Sequence, residues 1–267
     1  MSKVVLITGA SSGIGKSTAK LLSKKGFRVY GTGRNPNINE NIGYSLIPLD
    51  VTKSETISLA IDLILEKEGR LDVLVNNAGM GITGPIEDTP TNEMRKVFET
   101  NFFGAIDMMK AVLPQMRKQQ SGTIINVTSI AGYMGLPYRG VYSATKGALD
   151  LVSEAARMEV KEFGVNIVTI APGDVATNIA AGRYHTPVFD NSAYKEKYQM
   201  NLDLMDSHVD SGMNPIKMAE KIHQIVNLKQ PIVHYKVGAF MEKFSIVLKK
   251  ILPSKIYEKL LMNHYKL

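Results

Sequence analysis

Cysteine is absent from the 267 residues, which excludes disulfides, thiolate metal sites and a cysteine nucleophile. That absence fits a reducing, cytoplasmic setting. No stretch approaches the ~18 consecutive apolar residues of a membrane-spanning helix. The first apolar run, Val4 to Ile7, is four residues long and ends in a turn, so no signal peptide is expected. The five histidines are scattered and read as structural or surface residues, and no spacing of His, Asp or Glu suggests a metal site. Excess charge of one sign is also scarce over most of the chain. Of the net +7, residues 236–267 hold seven Lys and two Glu, or +5, which leaves +2 for the rest. A broad nucleic-acid-binding face is therefore not expected.

What is present is a 44% apolar chain, enough for a sizeable core, with strand and helix patterns in alternation. Short β-branched runs predict strands at Val4–Ile7, Phe27–Thr32, Gly43–Leu49, Val73–Val75, Thr123–Val127, Val165–Ala171 and Ile232–His234. Helical spacing predicts helices over 14–25, 53–68, 91–118 with a bend near Pro114, 140–163 and 215–226. The link Asn35–Asn41 is Asn-rich and has little helical character. Such alternation means a doubly wound parallel sheet with helices on both faces. Residues 174–213 are polar and rich in Met and Tyr, and a long irregular segment of this kind reads as a loop or lid over a site. The expected organisation is one domain over 1–235, followed by a basic amphipathic tail over 236–267.

Residues 8–18 read TGASSGIGKST, after the first strand and at the start of the first helix. Gly15-Lys16-Ser17 resembles the end of a phosphate-binding P-loop, with Ala10 where the first glycine belongs and Asp50 as a candidate magnesium ligand. In the other frame Gly9 turns the chain, Gly13 admits a pyrophosphate and Gly15 lets helix and strand pack closely, a dinucleotide turn. The first frame implies phosphoryl transfer and the second hydride transfer. Elsewhere Tyr142 and Lys146, spaced i and i+4, share one helix face. On residue type alone they are an exposed aromatic–cation pair or a proton donor beside a cation that favours the phenolate.

Six stretches in order resemble the short-chain dehydrogenases/reductases over roughly residues 3–235: TGASSGIG, Asn76-Asn77-Ala78-Gly79, Asn101, Ser129, Tyr142-Ser-Ala-Thr-Lys146 thirteen residues beyond Ser129, and Pro172-Gly173 with Thr177. The general look is of the hydroxysteroid and retinol dehydrogenase branch. The resemblance implies a Rossmann-type sheet of seven strands in the order 3-2-1-4-5-6-7. It implies that Tyr142 exchanges a proton with a substrate carbonyl or alcohol, Lys146 lowers the Tyr142 pKa and holds the nicotinamide ribose, Ser129 bonds the carbonyl oxygen and Asn101 holds a relay water. It also implies cofactor contacts at Gly9, Ser11, Ser12, Gly13, Ile14, Gly15, Asp50, Val51, Asn77, Ala78, Gly79, Pro172, Gly173, Val175 and Thr177.

A fold that prefers NAD usually carries an acidic residue at the end of the second strand. Gly33 stands there instead, followed by Arg34 and Asn35, and a guanidinium suits a 2′-phosphate, so NADP is expected ahead of NAD. Apolar residues in the lid, with Gly135, Leu136 and Tyr138, suit a bulky apolar ketone, or else only pack the lid onto the core. A nucleotide-binding protein without turnover is the alternative to a reductase, though such a protein needs no proton donor. In the tail, Phe240, Phe244, Val247, Leu248 and Ile251 fall at helical spacing with lysines between them. The tail packs on its own domain or a second subunit, lies on an anionic membrane surface, or is disordered. The resemblance implies a homodimer or homotetramer.

Overall fold

The computed structural model describes residues 2–37, 42–177, 182–210 and 212–267. Residues Ile38 to Asn41 of the Asn-rich link and Ile179 of the lid lie outside these. Seven strands form one parallel sheet: β1 (Val4–Ile7), β2 (Arg28–Gly33), β3 (Ser45–Pro48), β4 (Val73–Asn76), β6 (Gly122–Val127), β7 (Val165–Pro172) and β9 (His234–Val237). Their order is β3-β2-β1-β4-β6-β7-β9, so numbering these seven alone gives the expected 3-2-1-4-5-6-7. Two further strands, β5 (Ile82–Thr83) and β8 (Tyr184–His185), pair with each other apart from this sheet. Neither is legible in the sequence, because two residues carry no alternation.

Each strand sorts its side chains between two cores. Leu6, Leu74, Ile124 and Ile167 turn to one face, where they meet α2 (Ser54–Glu68) and α4 (Gly104–Gln119) through Ile57, Ile61, Met108 and Val112. Val5, Ile7, Val75, Ile125 and Val168 turn to the other, against Leu22 of α1 (Gly13–Lys24) and Ile222 of α7 (Pro215–Val226). A period of two along each strand produces this division, because both faces of a parallel sheet are covered. Gly69, at φ +68°, stops α2 in the left-handed conformation, and Asn214 starts α7 by accepting from the Ile216 N–H at 2.9 Å.

The expected helix over 91–118 is interrupted where no proline signals it. α3 (Thr91–Phe98) and α4 are joined by a π-helical turn at Glu99–Phe103, and Pro114 lies inside α4. One extra residue in the turn carries Asn101 inward, where it is buried and bonded to Met80. The helix over 140–163 is α5 (Gly140–Glu159) followed by a 3₁₀ turn at Lys161–Phe163. The lid holds more order than its composition suggests, with α6 at Lys195–Asp210. The last sheet strand begins at His234, where the expected one ended, and runs across the expected boundary at residue 235.

The tail forms α8 (Phe240–Ile251) and α9 (Ser254–His264), broken at Pro253. Its packing face is not the stripe read from the sequence. Ile246 and Tyr257 are the buried members, set against Ile130, Met134 and Ala171, and the Tyr257 hydroxyl donates to Met134 Sδ at 2.9 Å. Of the expected stripe only Leu248 joins that cluster, while Phe240, Phe244, Val247 and Ile251 face outward.

Candidate active site

The Gly-rich turn is held from below. Asn77 Nδ2 donates to the carbonyls of Thr8 (2.9 Å) and Gly9 (3.0 Å), and Thr8 Oγ1 accepts from the N–H groups of Asn77 and Ala78 at 2.9 Å each. The Asn77 side chain thus braces the turn from below. Asn76 lies deeper and donates to Ala105 O (3.0 Å) and Asn126 Oδ1 (2.9 Å). Gly9 (φ +65°) and Gly13 (φ +52°) adopt the left-handed conformation that favours glycine, and a Cβ at Gly15 would press into the Gly9 carbonyl.

Ser12 caps α1 without a side-chain bond to the helix, so the first N–H groups of α1 are directed at whatever lies over the turn. Ser11 and Ser12 are exposed, and Ile14 packs inward. Beside the turn, a cleft of about 300 Å³ is lined by Gly13, Lys16, Ser17, Lys20, Ala176 and Thr177. A Cβ on Gly13 would lie 3.3 Å from Thr177, so the segment after β7 shares a wall with the turn after β1. These features fit an anionic dinucleotide.

At the end of β2, Arg34 and Asn35 are exposed, and a Cβ on Gly33 would stand 3.5 Å from Ser11 Oγ. Asp50 closes an Asx turn rather than capping α2, accepting from Thr52 N–H (3.0 Å) and Oγ1 (2.8 Å). Burial works to raise the Asp50 pKa, yet the Thr52 bonds and the nearby Lys53 and Arg34 hold it below the ordinary carboxylate range. Val51 buries its side chain in the core against Gly104, so a ligand there would meet its main chain. Val175 is buried, and Gly173 N–H donates to Val237 O at 2.8 Å. A carboxylate from the tail also reaches this point, with no sign of it in the sequence. Glu242 accepts from the Asp174 N–H (2.6 Å) and the Ala239 N–H (2.5 Å), beside Gly173.

Around Tyr142 the expected residues converge. Ser129 ends β6 as the cap of a 3₁₀ turn, accepting from Ala131 N–H at 3.1 Å, and its hydroxyl acts on the Tyr142 phenol in favour of the phenolate. Asn101 donates to Met80 O (2.9 Å) and Thr145 Oγ1 (3.2 Å) and accepts from Met80 N–H (2.8 Å). Both amide hydrogens are thereby committed, so its side chain fixes the loop at Gly79 and Met80. A Cβ at Gly79 would lie 3.2 Å from Asn101 Oδ1 and 3.5 Å from Lys146 Nζ, which places these two side by side.

Lys146 is buried, donates to Val127 O at 2.9 Å, and has its pKa pushed down to about 8 by burial. The Tyr142 phenol is raised, burial being the main cause, against the lowering influence of Arg139, Ser129 and Arg183, while Asp174 raises it. The Lys146 ammonium donates to a carbonyl and stands 5.9 Å from the Tyr142 ring centroid, and Arg139 and Arg183 add positive charge acting on the phenol. Arg139 was legible, three residues before Tyr142 and so on the same helix face, with its guanidinium 5.5 Å from the ring centroid. Arg183 arrives through β8 and left no sequence signal.

The Lys146 shift has a pH consequence. A lysine lowered from 10.5 to about 8 destabilises the fold while charged, and that cost is relieved progressively as pH rises from about 8 to 10.5. If the ammonium is needed for turnover, kcat/KM for the dinucleotide, which reports groups of the free enzyme, falls as pH rises through about 8. A steady-state profile flat across that range removes Lys146 from the reaction.

An apolar cavity of about 400 Å³ opens beside this group, lined among others by Ile82, Ile86, Leu136, Tyr138, Val141 and Leu267. Leu136, Tyr138 and Tyr194 fulfil the pocket expectation, whereas Tyr198 and Met205 are buried and pin the lid, Tyr198 through Thr83 O at 2.9 Å. Phe189 and Met200 are exposed, and Gly135 is not in the lining. The Ile82–Thr89 wall has no counterpart among the expected pocket residues.

Far down α5, Asp150 and Glu154 meet His234, with ligand atoms within 4.8 Å of one another. His234 bonds Thr169 Oγ1 (2.8 Å) and pairs with Glu154 (3.0 Å), tying α5 to the last sheet strand, a structural role of the kind expected of the histidines.

Fold and site together define a dinucleotide-binding oxidoreductase. The profile of the short chain dehydrogenases matches residues 3–187. The chain is 40% identical over 265 residues to a 3-ketodihydrosphingosine reductase of Bacteroides thetaiotaomicron, covering 98% of each protein. Among solved structures it resembles a short-chain dehydrogenase from Streptomyces avermitilis, at 31% identity and TM-score 0.83 over 97% of this chain and 98% of that one. It also resembles ElxO with NADP bound, at 30% identity and TM-score 0.74 over 89% and 97%. The chain belongs to the short-chain dehydrogenase/reductase family, and the P-loop frame is set aside.

Proposed function

We propose that the protein reduces the ketone of a long-chain amino ketone of the 3-ketodihydrosphingosine type, using NADPH. The observation that carries this reading is an apolar cavity of about 400 Å³ whose lining includes Tyr138, Gly140 and Val141, the residues that lead directly into Tyr142 on α5. The similar Bacteroides protein bears the name of such a reductase. Asp174 acts on the ionisation of Tyr142, so a carboxylate stands within electrostatic reach of the reacting carbonyl, where a substrate ammonium suits it.

Bound NADPH supplies a hydride to the carbonyl carbon. The turn from Gly9 to Gly15 with Ser11, Ser12 and Ile14 holds its phosphates, and Arg34 with Asn35 takes the 2′-phosphate. Asp50, the Val51 main chain, Ala78 and Gly79 flank the adenosine, and Pro172, Gly173, Val175 and Thr177 the nicotinamide. Tyr142 gives its proton to the carbonyl oxygen, a transfer that its raised pKa suits in the reducing direction, since the phenol is kept protonated. Ser129 steadies the same oxygen with a hydrogen bond. Lys146 holds the ribose hydroxyls, and Asn101 fixes the loop beside it and supports proton relay. We also propose a cytoplasmic homodimer or homotetramer, for which exposed Leu151 and Met158 on α5 and Phe103 beside α4 offer the face.

The test is dinucleotide oxidation with 3-ketodihydrosphingosine, using NADPH and NADH, on wild type and Arg34→Ala. Losing a charge-assisted phosphate contact of about 1.5–3 kcal/mol weakens NADPH about 10–100-fold and leaves NADH unchanged. Equal loss for both cofactors would remove Arg34 from the 2′-phosphate, and no turnover of any apolar ketone would sink the reductase.

A further inference from the structure

We propose that α8 and α9 form a docking surface for an anionic lipid bilayer, on which the protein lies flat. On α8, Phe240, Phe244, Val247 and Ile251 follow one another at i, i+4, i+7 and i+11, a single stripe along the helix. They are 72%, 37%, 47% and 67% exposed, and the rings of Phe240 and Phe244 stack at 5.6 Å between centroids. On α9, Ile256 and Leu260 are exposed as well. Soluble surfaces scatter such residues singly, and a contiguous ridge marks a partner.

The partner is not the domain itself. The tail spends its packing face on Ile130, Met134 and Ala171 through Ile246 and Tyr257, and the stripe points away from that contact. Charge decides between a second copy and a membrane. Lys243 and Lys250 are exposed beside the stripe, and residues 236–267 carry seven Lys against two Glu. Two such faces brought together would repel each other, whereas lysines beside an apolar ridge complement anionic headgroups above acyl chains. Neither helix is long and apolar enough to cross a bilayer, and their 12 and 11 residues suit lying in its plane.

Docking stands apart from the chemistry, but its use rests on the proposed reductase activity. Leu267, three residues beyond α9, lines the cavity with Leu136 and Tyr138, and Tyr265 is buried within reach of Arg139. The segment that carries the docking surface therefore also supplies a residue to the cavity wall, so a ketone carried in the lipid and the cavity are served by the same tail.

The experiment is flotation of the full-length protein with phosphatidylcholine vesicles and with vesicles containing phosphatidylglycerol. Wild type, Phe240→Ser/Phe244→Ser and Lys243→Gln/Lys250→Gln are compared, each checked for folding by circular dichroism. Expected are flotation with the anionic vesicles, its loss in the serine variant, and about 30-fold weaker partition in the glutamine variant, two lysines near the surface each contributing about fivefold. Added salt weakens wild-type binding. Failure of the wild type to float with anionic vesicles overturns the proposal. So does a dimer in sedimentation equilibrium that the serine variant converts to monomer, since the stripe then belongs to a second copy. NADPH oxidation with 3-ketodihydrosphingosine held in detergent micelles, run on the same preparations without vesicles, separates the two readings. Its absence defeats the reductase, whereas docking stands or falls by flotation and by the sedimentation result.

Discussion

Tyr142→Phe is expected to lower both kcat and kcat/KM for ketone reduction by about 10²–10⁴-fold while leaving NADPH affinity unchanged. The substitution removes one oxygen and keeps the ring, so the packing of α5 and the stacking under Arg139 survive. Lys146 keeps its bond to Val127 O, and Ser129 keeps its bond from Ala131 N–H. The one thing lost is a proton donor. Stopped-flow reduction together with a fluorescence titration of NADPH gives the two readings. A variant that turns over at the wild-type rate would move the proton source elsewhere, with Lys146 next to be tested. A variant that also fails to bind NADPH would make the phenol a structural group.

The second large effect is expected of Gly15→Ala. The new Cβ would meet the Gly9 carbonyl oxygen and stand 2.6 Å from Asn77 Nδ2. The carbonyl is main chain and cannot swing aside, and Asn77 is tied to Thr8 and Gly9. Overpacking of about 1–3 kcal/mol, with about 1 kcal/mol for a disrupted Asn77 bond, gives a loss of about 3 kcal/mol. In a chain of this size that lowers the unfolding midpoint by about 6–12 °C. Dinucleotide binding is lost with it, because α1 must move off β1. Gly135→Ala is the control: nothing lies within 4 Å of its Cβ position, and a change within about 0.5 kcal/mol is expected. Calorimetry on both variants checks the pair, and equal midpoints would mean that the turn yields more freely than its bonding implies.

The sheet could be read from the chain because parallel strands buried on both faces leave short β-branched runs, and Val4–Ile7 and Val73–Asn76 are buried at every position. Tyr142, Lys146 and Ser129 could be read because their spacing along one helix and one strand end is local. Other features depend on partners remote in sequence. Asn101 turns inward because Met80 offers both a donor and an acceptor, which no helical pattern records. Asn77 braces the turn through the carbonyls of Thr8 and Gly9, which lie 69 and 68 residues earlier. The tail stripe looks like a packing face because it is the most apolar face of α8, yet Ile246 off that stripe does the packing. Spacing sets Lys146 beside Tyr142, but its burial and its bond to Val127 O come from β6 and lie beyond the helix pattern.

The carboxylate of Glu242 binds the main chain at Asp174, 68 residues earlier. The two ends of the dinucleotide cleft therefore mature at different moments of synthesis. Turn, brace and first helix are all encoded before Gly79, and they can close as soon as β1 and β4 pair. The opposite wall waits for α8. A ribosome-bound chain that has made the first wall but not α8 leaves the Asp174 N–H without the carboxylate of Glu242, so the second wall is completed only when the tail docks.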